Sequence, residues 1–350
     1  SVYINMECLA GKRINGTKSE LEASTTNIQD GSIFETSDEN LPYVFNSSDS
    51  RWYGVGHDGF YPPIPIFGIF AGGFSPNQTT MDYIDIATTG NATDFGDLTS
   101  ARRYLAGLGN ETRGVFASGW TGSVELNVMD YVEFDTTGNA TDFGDLTTLA
   151  YGVAGVANTT RGCFGGGQRA GSNSNIIDYI TIASTGNATD FGDLTRSKVW
   201  MAGVDNESRG VFAGGYTATN IIDYITIDTT GNATDFGDLT ATRSRSGGVS
   251  NATRGVFAGG YEGNPGSGST VNTMEYITIA STGNSTDFGD LTQSRQFTAG
   301  VSNTTRGCFG GGAGGGYWNT IDYITVDTTG NAADFGDLTV GRGMLGSASP

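Results

Sequence analysis

Eleven residues, "TGNATDFGDLT", begin at Thr89 and return with few changes at Thr137, Thr185, Thr230, Thr282 and Thr329. A catalytic centre needs its residues once, in one geometry, whereas tandem copies specify supersecondary units that stack on one another. The phrase therefore constrains architecture before chemistry. Two distances travel with it. From the Tyr of an Asp-Tyr or Glu-Tyr pair to the Asp of "DFGD" the count is 11 in every copy, and from that Asp to the Arg of "TRG" or "SRG" it is 19 in the five copies that have one. Only the stretch from that Arg to the next Tyr varies, at 18, 18, 15, 22 and 17 residues.

One repeat holds four strands, A to D, seen in "RSGGVSN" from Arg245, "RGVFAGGY" from Arg254, "TMEYITIA" from Thr273 and "STDFGDLT" from Ser285. Gly-Asn between C and D is a tight-hairpin pair, and strands B and C are apolar on both faces, which suits a sheet packed between two others. With 56 glycines and 7 prolines the composition favours short strands and tight turns. The chain reads as all-β, and six such sheets packed in a ring make a propeller.

These residues resemble the Kelch-type β-propeller family. The resemblance lies in the Gly-Gly that closes strand B (Gly72-Gly73, Gly166-Gly167, Gly214-Gly215, Gly259-Gly260, Gly311-Gly312), the acidic-Tyr pair in strand C and an aromatic in strand D, and it covers residues 65 to 350. The family's strand D usually carries Trp where this chain has Phe95, Phe143, Phe191, Phe236, Phe288 and Phe335, and Ser118 breaks the second Gly pair. The resemblance implies a six-bladed propeller. The tail "LTVGRGMLGSAS" aligns with "LTSARRYLAGLG", so residues 340 to 350 are expected to supply the missing strand A of the first blade. A rival for that role is "RWYGVGHD" from Arg51.

Residues 1 to 64 lie outside the repeat and read as a small β module with an Asp-Gly turn at Asp30. The module weakly resembles short modules of phage structural proteins, which implies attachment to a larger assembly. The longest apolar run, "IPIFGIFAGGF" from Ile64, is far short of the roughly 20 residues of a bilayer helix, and "SVYINMECLAGKR" has no signal-peptide core, so a soluble chain is expected. A formal charge of -19 disfavours nucleic acid as a partner.

Enzyme chemistry finds little to use. "DFG" lacks the catalytic loop and phosphate-binding Lys of a kinase, "GGGAGGG" from Gly310 lacks the strand, helix and Lys of a P-loop, and His57 is the only histidine. No catalytic residue, cofactor or metal is assigned. Asp94 and Asp97 could offer oxygen ligands to calcium. Their place on an outer strand fits charges that deter edge pairing better. The "TRG" arginines, at the same end of each repeat, are expected to pair with those aspartates. Cys8, Cys163 and Cys308 show no CxxC spacing and read as small buried residues rather than a disulfide or metal set. Thirteen Asn-x-Ser/Thr sequons sit mostly in repeated turns, where Asn satisfies nearby backbone groups.

Divergence gathers at one end of the repeats. Adjacent strands run oppositely, so the A–B and C–D turns share one end and the B–C and D–A connections share the other. Of the 14 Lys and Arg residues after position 64, nine fall in the variable connections. Arg102, Arg103, Arg196, Lys198, Arg243, Arg245 and Arg295, with Tyr104, Trp120, Trp200, Phe297 and Trp318, are therefore expected to form a binding face for a saccharide or anionic ligand. Arg169 and Arg342 belong to the same nine.

The near-identical tandem phrase also resembles structural proteins of phages that infect marine cyanobacteria. That resemblance implies a virion protein on a tail fibre or capsid, homo-oligomeric there. It implies partners among other virion proteins through residues 1 to 64 and in the host envelope through the variable face. A decoration or assembly adaptor without receptor binding is the alternative.

Overall fold

The computed structural model describes residues 67–350 except 217, 218 and 265, and in the first 66 residues the backbone of five short strands. The chain is all-β and divides into two compact units, 1–65 and 66–350. In the first unit, Arg13–Gly16 pairs in parallel with Ile33–Thr36, and antiparallel pairing continues through Pro42–Asn46, Arg51–Gly56 and Gly59–Phe60. The stretch from Arg51 is thus part of this sheet. His57 and Cys8 lie outside the described residues.

Among the described residues the second unit contains six antiparallel sheets, one per copy of the phrase, and a small three-stranded sheet of Arg243–Ser244, Tyr261–Glu262 and Ser269–Thr270. Their B and C strands are, in order, Phe67–Ala71 with Thr80–Asp85, Arg113–Trp120 with Glu125–Glu133, Arg161–Gly165 with Ser172–Thr181, Arg209–Ala213 with Ile221–Thr226, Arg254–Ala258 with Thr273–Thr278, and Arg306–Gly310 with Thr320–Thr325. Strand D follows each pair, as Thr93–Asp97 does in the first sheet and Ala333–Asp337 in the sixth. Strand A precedes the pair in five sheets: Ala106–Gly109, Ala154–Ala157, Ala202–Asp205, Gly247–Ser250 and Ala299–Ser302. The first sheet takes its A strand from the far end of the chain, where Gly346–Ala348 pairs with Phe67–Ala71.

Burial follows the apolar pattern. Strand B is buried almost throughout, and each apolar cluster joins two successive sheets; one, for example, unites Val211, Ile222 and Phe236 with Phe257 and Ile277 of the next sheet. Another unites Phe70 and Ile84 of the first sheet with Val301 and Ile321 of the sixth. Cys163 and Cys308 sit in such layers as free thiols, and burial pushes both up to about 12, so they are inert fillers.

Three sets of hydrogen bonds run from each copy to the next and return to the start. The Asn of the phrase accepts from the Asp backbone N–H of the preceding copy at 3.0–3.1 Å: Asp97 to Asn139, Asp145 to Asn187, Asp193 to Asn232, Asp238 to Asn284, Asp290 to Asn331, and Asp337 back to Asn91. The closing Thr reaches the buried acid of the next sheet's strand C, from Thr99 to Asp130 round to Thr339 to Asp82. At the opposite end the residue seven places after the second Asp of each "DFGD" donates its N–H to its predecessor's carbonyl: Gly152 to Tyr104, Trp200 to Gly152, Arg245 to Trp200, Phe297 to Arg245, Met344 to Phe297, and Tyr104 back to Met344.

The phrase is therefore its own binding partner, which is why it recurs with so little change. Its second glycine shows the constraint: a Cβ on Gly96 would stand 2.3 Å from the Gly138 carbonyl oxygen, and the same close approach recurs at Gly237 and Gly336.

Candidate functional site

The variable connections meet near the six-residue backbone ring. All six ring residues have left-handed backbone, with φ of 59° at Tyr104, 69° at Gly152, 59° at Trp200, 63° at Arg245, 58° at Phe297 and 63° at Met344. That conformation costs a non-glycine residue roughly 1–2 kcal/mol, and only one copy uses glycine. The side chains it holds are large. Tyr104, Trp200 and Phe297 contact one another, with centroids 5.4–5.7 Å apart, and the Trp200 indole fills the space a Gly152 side chain would need. Together they line one end of a cavity of about 420 Å³ whose walls are the A strands.

Arg245 stands at the edge of this group. Its guanidinium carbon lies 4.7 Å from the Trp200 ring, 4.9 Å from Phe297, 5.2 Å from Tyr261 and 5.5 Å from Tyr216, distances at which cation–π attraction operates. Its Nη1 donates to Gln296 Oε1 at 2.7 Å. Desolvation lowers its pKa, with the surrounding tyrosines opposing. Arg103 lies 4.3 Å over Phe74 and 5.5 Å from Tyr104. Neither arginine has a carboxylate within ion-pair distance among the described residues. Trp120 is half-buried, exchanges backbone bonds with Arg103 and packs 5.4 Å from Tyr151. Trp318 is half-buried on the same connections, and Arg196 is exposed on strand Thr189–Lys198.

Four of the expected binding residues turn inward, a correction to the sequence reading. Arg102, Lys198, Arg243 and Arg295 are buried and pair with the acid of strand C: Asp130 at 2.9 Å, Asp223 at 2.9 Å, Glu275 at 2.7 Å and Asp322 at 2.9 Å. Arg342 does the same with Asp82 at 3.0 Å. Burial pushes Arg102, Lys198, Arg295 and Arg342 down, while their carboxylates pull them back. A cation beside a fully buried carboxylate is there because the acid would otherwise be unpaired.

The third sheet solves the same problem differently. Its residue at the cation position is Ala150, fully buried, and the charge comes from Arg169 in the B–C connection, 2.8 Å from Asp178. Six buried acids thus meet six cations, one of them from another part of the repeat.

A second correction concerns the "TRG" arginines. Rather than pairing with Asp94, Asp97 and their counterparts, they stack on the strand-C tyrosines at 4.3–4.6 Å. Each also donates Nη1 across to a backbone carbonyl of a neighbouring repeat, such as Ile227 for Arg161 and Ile86 for Arg306. Arg113 alone adds a carboxylate, Glu133 at 2.7 Å. Asp94 and Asp97 remain exposed, and no group of three His, Cys, Asp or Glu among the described residues could hold a metal ion. The sequon amides are engaged where turns meet: Asn110 Nδ2 donates to Thr159 O at 2.8 Å while its Oδ1 accepts from the Thr112 and Arg113 N–H groups.

Sequence reasoning missed Gln296, Tyr151, Tyr261 beside Arg245, and the unity of the ring position. A signal existed for the last: the seventh residue after the second Asp of each "DFGD" reads Tyr, Gly, Trp, Arg, Phe, Met, one of the columns of the D–A connection in which no two copies agree. No family model and no curated protein matches the chain.

Proposed function

We propose that the second unit is a six-bladed Kelch-like β-propeller that works by binding, and that the chain is a non-enzymatic virion structural protein presenting its variable end to a host surface. The three returning sets of hydrogen bonds support six blades closed by the C-terminal strand, because a solenoid would leave its first and last repeats without these partners. The observation that carries the binding role is the ring position: five of six copies accept a left-handed backbone in order to hold Tyr, Trp, Arg, Phe or Met where glycine would sit without strain. The virion rests on the sequence resemblance of the tandem phrase. Attachment through residues 1 to 64 and oligomerisation in the particle belong to the same reading.

Adsorption of the purified chain to candidate host cells tests it. Saturable adsorption, lost when Tyr104 and Trp200 are replaced, is expected. A chain that adsorbs to no host, with its variable end buried against another protein in a reconstruction of the particle, is instead an assembly adaptor.

A further inference from the structure

We infer that the axial end is a receptor site for an acidic saccharide, its anionic group held by Arg103 and Arg245 and its sugar faces laid against Tyr104, Tyr216 and Tyr261. The inference rests on the binding role proposed above and names its ligand class.

The charge bookkeeping points there first. In a chain of net charge -19, the buried cations of this end are each matched to a buried acid, yet among the described residues Arg103 and Arg245 have only Asn77, Gln296 and aromatic rings beside their side chains. The carboxylate on strand Tyr261–Glu262 is already engaged by Arg243 at 3.4 Å. Arg103 lies 5.5 Å from the Tyr104 ring, and Arg245 lies over Trp200 and Phe297, the two rings that contact Tyr104, so both border one aromatic group. Half-buried arginines without a carboxylate partner, both bordering one aromatic group, are stabilised by an anionic ligand that accepts from them.

Backbone accounting then selects the kind of anion. A peptide ligand would need main-chain groups to pair with. Here those groups are spent: the N–H groups of Tyr104, Trp200, Arg245 and Phe297 close the ring, Trp120 and Arg103 pair with each other, Gln296 pairs with Ala313, and Tyr216 donates to Val199. What the end still offers is aromatic surface and guanidinium, the complement of a pyranose face bearing a carboxylate or sulfate ester.

Calorimetric titration of the full chain, with tryptophan fluorescence recorded in parallel, tests this using oligogalacturonate, a sulfated galactose oligomer, a neutral galactose oligomer and poly-glutamate. Binding of one or both acidic saccharides is expected, weakened by salt, with the neutral oligomer about tenfold weaker or worse. The carboxylated and sulfated arms distinguish the two anion sources. Arg103→Gln and Arg245→Gln should each cost about tenfold in affinity while the thermal transition stays in place. Equal binding of neutral and acidic oligomers, stronger binding of poly-glutamate, or full affinity in the folded double variant would overturn the inference. If the wild type adsorbs to cells and the double variant adsorbs equally, the saccharide assignment fails and the binding role survives. If the wild type binds no saccharide and adsorbs nowhere, both fail.

Discussion

The two ends of the repeated sheets are built from the same six copies under different rules. Through the C–D turn and strand D, every copy spells nearly the same phrase because neighbouring copies contact one another there: Asn139 accepts from Asp97, Thr99 just past strand D reaches Asp130, and Gly96 lies against the Gly138 carbonyl. At the other end the backbone ring is equally regular, yet its side chains are Tyr, Gly, Trp, Arg, Phe and Met. Repetition is thus retained where a copy contacts a copy, and abandoned where the side chain leaves that contact. The difference separates what the ring needs in order to close from what it is free to display.

The comparison breaks first if closure is not what the constant end serves. Deleting residues 340–350 removes the strand Gly346–Ala348, the buried Leu345, and Arg342, whose partner Asp82 would be left buried and unpaired. Removal of one partner of a buried pair costs about 3–5 kcal/mol before the lost strand is counted. The expected result is a fall of well over 10 °C in the thermal midpoint, or no soluble product. An unchanged midpoint would show that the sheets do not depend on the returning strand.

A smaller test asks whether the inward cations belong to the frame. Arg169→Ala should lose about 3–5 kcal/mol, a large effect for a residue in a variable connection. Restoring the cation at the usual position with Ala150→Arg in that background should recover most of it, because five sheets already use that route. Denaturant unfolding of the single and double variants measures both steps. Below this in size comes the phrase itself: Gly237→Ala puts a methyl 2.3 Å from the Gly283 oxygen at φ +148°, and roughly 2 kcal/mol of stability should go. Gly186→Ala has open space for its Cβ and separates the cost of backbone strain from that of the clash.

The same contrast explains how far the sequence was legible. The order of strands A to D followed from the fixed spacings of 11 and 19 residues, since a register shared by all copies must be a structural one. The inward cations were misread for want of applying that argument once more. Counting five residues from the second Asp of each "DFGD" gives Arg102, Ala150, Lys198, Arg243, Arg295 and Arg342, a column cationic in five of six copies, and that sameness marks the frame. Two residues further on the column diverges, and that is where the aromatic ring stands. Arg169 could not be placed from sequence, because its pairing with Asp178 depends on the folding-back of a connection whose length is its own.

One residue at the constant end departs from its column, and its titration gives the finest test. The last position of strand A carries Gly109, Ala157, Asp205, Ser250 and Ser302, with Ser349 in the matching place just after the first sheet's strand, and backbone N–H groups donate along it, from Ala157 to Asp205 Oδ2 at 2.7 Å and from Asp205 to Ser250 Oγ at 3.3 Å. Burial, with help from the charge of Glu207, pushes the Asp205 carboxyl up to about 7, against the Ala157 N–H, which holds it down. A raised acid keeps a proton in the folded chain that the unfolded chain releases. Its contribution is therefore favourable below the ordinary carboxylate range near pH 4 and is lost as pH rises to about 7, with a limiting slope of about 1.4 kcal/mol per pH unit. Asp205→Ser continues the serine run and carries no charge. Urea unfolding of the two proteins should agree near pH 4 and diverge towards pH 7, the serine variant becoming the more stable. Parallel curves across that window would mean that the carboxyl is solvated and that a single acid is as harmless among the copy-to-copy contacts as it would be on the displayed end.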